Sequence, residues 1–145
     1  MNESSVDDSR AVVFAFAAAL PDSVESAQVG FHFEEGGCWG MAAALARHFI
    51  RHGKDVLVRY QPTYFVHAWV EVEDVSLDHG GVMNPTSKLF EGATTVPLGG
   101  LEQLAIAHGC GDEFDADTAM ATQIVRDAWQ RASSPCLTNL QETPV

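Results

Sequence analysis

The sequence predicts an α+β fold, with an N-terminal helix and a second, Ala-rich helix packed on a small antiparallel sheet, and further helices towards the C-terminus. Three observations predict it. Apolar residues recur at helical spacing over 10–20 and 38–52. They alternate with period two over 64–73. Proline and glycine punctuate the chain between these runs, at Pro21, Gly53, Gly80, Gly81 and Gly109.

Each element follows from its residues. Residues 1–8 read as a frayed tail, and Ser9 can cap a helix over 10–20 that Pro21 stops. Val12, Val13, Phe16 and Leu20 form its apolar face. Residues 21–37 show no period and read as a loop ending in Glu34-Glu35-Gly36-Gly37. From Cys38 to His52, Met41, Leu45 and Phe49 line one row of a helix and Ala42, Ala46 and Ile50 the next. The small alanines permit close approach to a sheet. Arg47, His48, Arg51 and His52 read as potential cations at its negative end, and Gly53 as its terminator.

Val56, Leu57 and Val58 predict a short strand, and 64–73 a longer one. In the second, Val66, Ala68, Val70 and Val72 face one way and His67, Trp69, Glu71 and Glu73 the other. Val75 to Asp78 reads as a third strand, ended by Gly80-Gly81. Residues 84–97, with Pro85 and Pro97, read as loop. A helix from Leu101 to Ala107 and a last helix, capped by Asp115 or Asp117 and running to Ala132, complete the expected single domain of 1–132. Met120, Ile124 and Trp129 are its expected inward residues, and 133–145 an expected flexible tail.

The chain has 145 residues, nearly half of them apolar, and a net charge of −12. That is enough for one core, and the acidity argues against nucleic acid and anionic membranes as partners. An acidic N-terminus lacks the positive charge of a signal peptide, so a cytoplasmic location is expected. Cys38, Cys110 and Cys136 are odd in number and share no Cys-x-x-Cys spacing, so reduced thiols are expected.

One stretch carries chemistry. Gly36-Gly37-Cys38-Trp39-Gly40 opens the Ala-rich helix, His67 begins His-Ala-Trp-Val-Glu-Val, and Asp78 ends the next strand. A cysteine attacks only as thiolate. A helix N-terminus, with its unpaired N–H groups and about half a positive charge, favours that form. The glycines allow a sharp turn and a close substrate backbone, and the Cys38 N–H can point at a developing oxyanion. His67 can pair with the thiolate and then act as general acid, with Asp78 orienting the imidazole. A hairpin turning near residue 73 would bring His67 opposite Asp78 or one diagonal away.

The Gly-Gly-Cys-Trp-Gly segment resembles the nucleophile segment of papain-like cysteine peptidases. His67-Ala68-Trp69-Val70-Glu71-Val72 resembles the histidine strand of transglutaminase-like proteins, a group that includes the leader peptidases of lasso-peptide biosynthesis. The resemblance covers about residues 30–80. It implies a cysteine helix on an antiparallel sheet, amide or acyl-transfer chemistry through a thioester, a protein or peptide substrate, and no metal or organic cofactor. Asp78 sides with the transglutaminase-like pattern, since papain-like enzymes place Asn there. Where those enzymes carry an oxyanion-hole glutamine, six residues before the cysteine, this chain has His32, which can donate an N–H or stand as an ordinary loop residue. Gly37, Trp39 and Trp69 are the further expected oxyanion or substrate contacts. His79 competes with His67 for the role of base. The short chain implies a shallow cleft or one completed by a protein partner.

Other candidates are weaker. His48 and His52 stand four apart, a zinc spacing, but no third ligand accompanies them. The acids at 112, 113, 115 and 117 lack the glycine and bidentate Glu of a calcium loop. Cys110 follows a helix rather than opening one. A different reading is a non-catalytic, acidic protein-binding or inhibitory module on the same fold. The reactivity of Cys38 separates the two.

Overall fold

The computed structural model describes residues 2–63 and 66–133, and for residues 2–8 the backbone alone. Five α-helices and a five-stranded antiparallel sheet make up a mixed α+β architecture among these residues. In chain order they are α1 (Asn2–Ala27), α2 (Gly30–Glu34), α3 (Cys38–Arg51), β1 (Val56–Gln61), β2 (His67–Val72), β3 (Val75–Asp78), β4 (Gly81–Val82), β5 (Thr94–Val96), α4 (Leu101–Ala107) and α5 (Phe114–Ser133). The expected flexible tail, and Cys136 with it, lies outside the described residues apart from Ser133, which ends α5.

The sheet runs β4-β3-β2-β1-β5. Val58 pairs with Val70 and Val70 with Leu77, so these apolar side chains share one face. The alanine-rich α3 lies in the same core, where Ala42, Ala43 and Ala46 are at most 1 % exposed. Alanine brings the helix axis close to the sheet because no branched side chain keeps them apart. Phe16 and Leu20 of α1, and Ala121, Ile124 and Val125 of α5, belong to that core too. The helix that carries Cys38 is thus buried in the middle of the molecule.

Four local expectations need correction. Pro21 does not stop α1, which runs from Asn2 to Ala27 with the proline inside it. The Ala17 carbonyl that Pro21 cannot hydrogen-bond lies 2.8 Å from where a Cβ on Gly81 would stand, so the gap opened by the proline is filled by the glycine of β4. The stretch 21–37 is largely helical, being the end of α1 and all of α2. The segment 84–97 contains β5, a three-residue edge strand too short to show alternation. Met120 is 37 % exposed; the inward positions of α5 are Phe114, Asp117, Thr118, Ala121, Ile124, Val125 and Ala128.

The β2–β3 hairpin turns on Glu73 and Asp74, with φ of 54° and 66°. Two consecutive left-handed residues give the turn whose twist matches the flanking strands, here without the usual Gly or Asn. That turn fixes Val72 opposite Val75 and Val70 opposite Leu77. Continuing the register sets Asp78 opposite Trp69, one diagonal from His67. The next turn, at His79-Gly80, reverses the chain again, since Asp78 pairs with Gly81.

Candidate active site

Cys38 is the first residue of α3, after the N-cap Gly37. It is 4 % exposed. It lines a cleft of about 240 Å³ whose other walls are Glu34, Glu35, Gly36, Trp39, Val66, His108 and Cys110. The sulfur-bearing residue is therefore buried on the core side and open on the cleft side.

His67 is the first residue of β2 and is 3 % exposed. Its Nε2 lies 2.8 Å from Asp78 Oδ2. Asp78 Oδ1 accepts the Gly80 N–H at 2.9 Å, which holds the carboxylate in place. Burial pulls the His67 pKa down. Hydrogen bonds to Asp78 and to Cys38, and the negative charges of both, outweigh it, and the net result is a rise to about 9. Burial likewise raises the Asp78 pKa, but the His67 hydrogen bond and charge, the His79 charge and the Gly80 N–H overcome this and hold it below the usual carboxylate value. His67 and Asp78 are thus joined directly, and Cys38 lies near enough for its charge to act on the imidazole. His67 and Asp78 are not walls of the cleft; Cys38 alone of the three reaches it.

The remaining predicted residues take other places. His32 Nε2 is 2.6 Å from Asp117 Oδ1, and the ring lies against Gly37, where an added Cβ would stand 2.7 Å from its Cδ2. That nitrogen serves the 5 %-exposed Asp117 of α5. Trp39 lines the cleft and stacks on His108, with ring centroids 5.3 Å apart. Trp69 is fully buried and is no wall of the cleft: Phe90 packs edge-on against it at 5.6 Å, and the His67 ring stacks beside it at 6.0 Å. Its position suits holding the imidazole rather than touching substrate. His79 has its Nε2 3.8 Å from Glu34 Oε1, and its ring centroid is 6.4 Å from that of His67.

Sequence reasoning missed five members of this region. His108 faces the cleft with Nε2 2.9 Å from the Tyr60 hydroxyl. Cys110 shares the cleft with Cys38. Asp117, a helix cap by its sequence position, is instead the buried partner of His32. Glu34 and Glu35 form an acidic rim. None of these stands in a local motif with its partner; Asp117 is 85 residues from His32 in the chain.

The histidines at the end of α3 are not both surface cations. His48 is 4 % exposed, stacked on Phe16 at 5.3 Å and edge-on to Trp129 at 4.7 Å. Burial, and then the charges of His52 and Arg51, lower its pKa to about 4, so it is a neutral core ring near pH 7. No cluster of three or more His, Cys, Asp or Glu suited to a metal ion occurs among the described residues. No helix among them is long and apolar enough to cross a membrane.

Comparison with protein-family models, with curated proteins and with solved structures finds no match to this chain.

Proposed function

We propose that the chain is a cysteine-dependent hydrolase or acyl-transferase that attacks an amide through a thioester on Cys38, in the manner of the papain-like and transglutaminase-like enzymes it resembles. The observation that carries this reading is the buried His67 imidazole held at 2.8 Å by Asp78, with Cys38 at the mouth of α3 close enough that its charge, with that of Asp78, raises the imidazole pKa to about 9. Such an imidazole is a proton donor near neutral pH, which is what the leaving amine requires.

In this mechanism the Cys38 sulfur attacks the carbonyl carbon, and the Cys38 N–H at the mouth of α3 donates to the oxyanion. His32 Nε2 is committed to Asp117, so we assign His32 a positioning role beneath Gly37 rather than the place of the oxyanion glutamine. The imidazolium of His67 gives its proton to the departing nitrogen, and the thioester forms. Neutral His67 then takes a proton from the incoming water or amine, which releases the acyl group and restores the pair. Asp78 keeps the ring oriented through both steps. Cleft walls of Trp39, Val66 and His108 suit an extended peptide, so a peptidase acting on a protein or peptide in the cytoplasm is the specific form we favour; deamidation and transamidation use the same steps. A protein partner that extends the cleft is compatible with its small volume.

The burial of Cys38 favours a second reading, an acidic binding or inhibitory module whose thiol is only core. Iodoacetamide separates the two. Cys38 is expected to alkylate faster than Cys110 and Cys136 near neutral pH, and His67→Ala to slow that reaction by at least about tenfold. Equal rates at the three thiols would leave the binding module as the better account.

A further inference from the structure

A second thiol, Cys110, stands in the cleft of Cys38. It sits in the turn after α4, between Gly109 and Gly111, and lines the same cleft as Cys38. Its Sγ lies 3.2 Å from where a Cβ on Gly36 would stand, two residues before Cys38. Gly36 has a φ of 138°, so both its conformation and its neighbour keep the position free of a side chain. Trp39, the residue after Cys38, lines the cleft beside Cys110, whose thiol donates to the His108 carbonyl at 3.6 Å. Burial raises the Cys110 pKa and the Trp39 contact opposes this, while the negative charges of Cys38, Glu113 and Asp117 add to the rise.

We propose that Cys38 and Cys110 form a reversible disulfide across the cleft when a peroxide oxidises Cys38, so that the second thiol protects the first and closes the site. The proposal rests on the reading of Cys38 as the reactive thiol. The Cys38 thiolate attacks the peroxide O–O bond; sulfur loses two electrons and becomes a sulfenic acid, and the peroxide leaves as an alcohol or water after taking a proton. The Cys110 sulfur then attacks the sulfenic sulfur, and the displaced hydroxide takes the Cys110 proton and departs as water. A dithiol reductant returns both thiols.

The order of events follows from the charges. While Cys38 is a thiolate, its charge helps keep Cys110 protonated and inert. Once Cys38 is a neutral sulfenic acid that contribution is gone, and Cys110 ionises more readily at the moment its attack is needed. Disulfide closure requires Cα atoms within about 7 Å, so the link also tests how near the turn that carries Cys110 comes to the mouth of α3.

The full chain is treated with a small excess of hydrogen peroxide, blocked with iodoacetamide, digested without reductant and mapped by mass spectrometry. The expected result is a Cys38–Cys110 linked peptide, loss of alkylation at both thiols, and recovery of both with dithiothreitol. Cys136→Ser should give the same link. In Cys110→Ser the oxidised Cys38 should pass to the sulfinic acid and fail to recover. If Cys38 alkylates fast before oxidation but no such link forms, or the link is to Cys136, the disulfide proposal is overturned and the hydrolase reading is untouched. If Cys38 alkylates no faster than the other thiols before any peroxide is added, the hydrolase reading falls, and this proposal with it.

Discussion

Replacing Asp78 with asparagine tests the central geometry without removing a side chain. The amide keeps an oxygen and nearly the same volume, but loses the charge that faces His67 Nε2 at 2.8 Å. The His67 pKa stands at about 9 against an ordinary 6.5. At about 1.36 kcal/mol per unit, that rise is about 3 kcal/mol in favour of the imidazolium, divided between Asp78 and Cys38 and net of the burial that opposes them. A nearby opposite charge supplies ~1–3 units, so Asp78→Asn should lower the His67 midpoint by about that much. Cys38→Ser should lower it too. In the double variant burial acts unopposed, and the midpoint should fall below 6.5. The assay is the NMR titration of the His67 ring carbon from about pH 4 to about pH 10, a range that brackets the ordinary and raised values, with the signal assigned by His67→Gln. A linked stability measurement carries the same sign. His67 has a folded pKa above its unfolded value, so its contribution is complete below 6.5 and is lost as pH rises through about 9. Thermal midpoints of the wild type should therefore fall towards those of His67→Gln between these two values. A wild-type midpoint near 6.5, or one indifferent to Asp78→Asn, would refute the connected thiol–imidazole–carboxylate arrangement.

Two more outcomes are expected elsewhere in the fold. His48 has a folded pKa of about 4, below its unfolded 6.5, so the unfolded chain takes up the proton first. Its contribution is whole above 6.5 and is lost as pH falls towards 4, by up to ~3 kcal/mol. In urea denaturation, His48→Phe should gain on the wild type as pH is lowered through this window; parallel curves would mean that the ring is not buried neutral. Gly40→Ala would place a Cβ 2.7 Å from the Asp117 carbonyl carbon and the Thr118 nitrogen. Both are α5 backbone and cannot rotate away, so α3 and α5 must part, at ~1–3 kcal/mol, measurable as a lower denaturation midpoint.

How much of this is legible in the sequence depends on the range of the signal. The cysteine helix, the His67 strand and the Asp78 strand each announce themselves within a few residues, through helical spacing, alternation and glycine punctuation. Their register needs only the length of one turn, and the diagonal placement of His67 and Asp78 follows from it. What escapes depends on distant partners. Pro21 reads as a stop unless Gly81 is known to fill the gap beside Ala17. The alternation of β2 does not show that Trp69 is buried: Phe90 packs edge-on against it at 5.6 Å, in a segment that Gln61 Nε2 holds by donating to the Leu89 and Glu91 carbonyls, at 2.9 and 2.6 Å. His48 reads as a helix-end cation unless Phe16 and Trp129 are known to enclose it. Asp117 reads as a cap because acids are common in a first helical turn.

The glycines around Cys38 have a different meaning in three dimensions from the one their chemistry first suggests. Read locally, they clear a path for a substrate backbone. In the fold, the space beside three of them is already occupied by protein. Gly36 faces Cys110 Sγ at 3.2 Å, Gly37 the His32 ring at 2.7 Å and Gly40 the backbone of α5 at 2.7 Å, each distance measured from an added Cβ. His32, Cys110 and the backbone of Asp117-Thr118 converge on the start of α3, and side chains at these glycines would push them off. The glycines therefore let the rest of the molecule close around the cysteine. What stays open is the side walled by Trp39, Val66 and His108. On the proposed mechanism, a substrate carbonyl comes in from that side, over Trp39. This predicts that enlarging Val66, to Phe for example, blocks acylation of Cys38 by a peptide substrate while leaving the His67 titration unchanged, and equal loss of both would place the entry elsewhere.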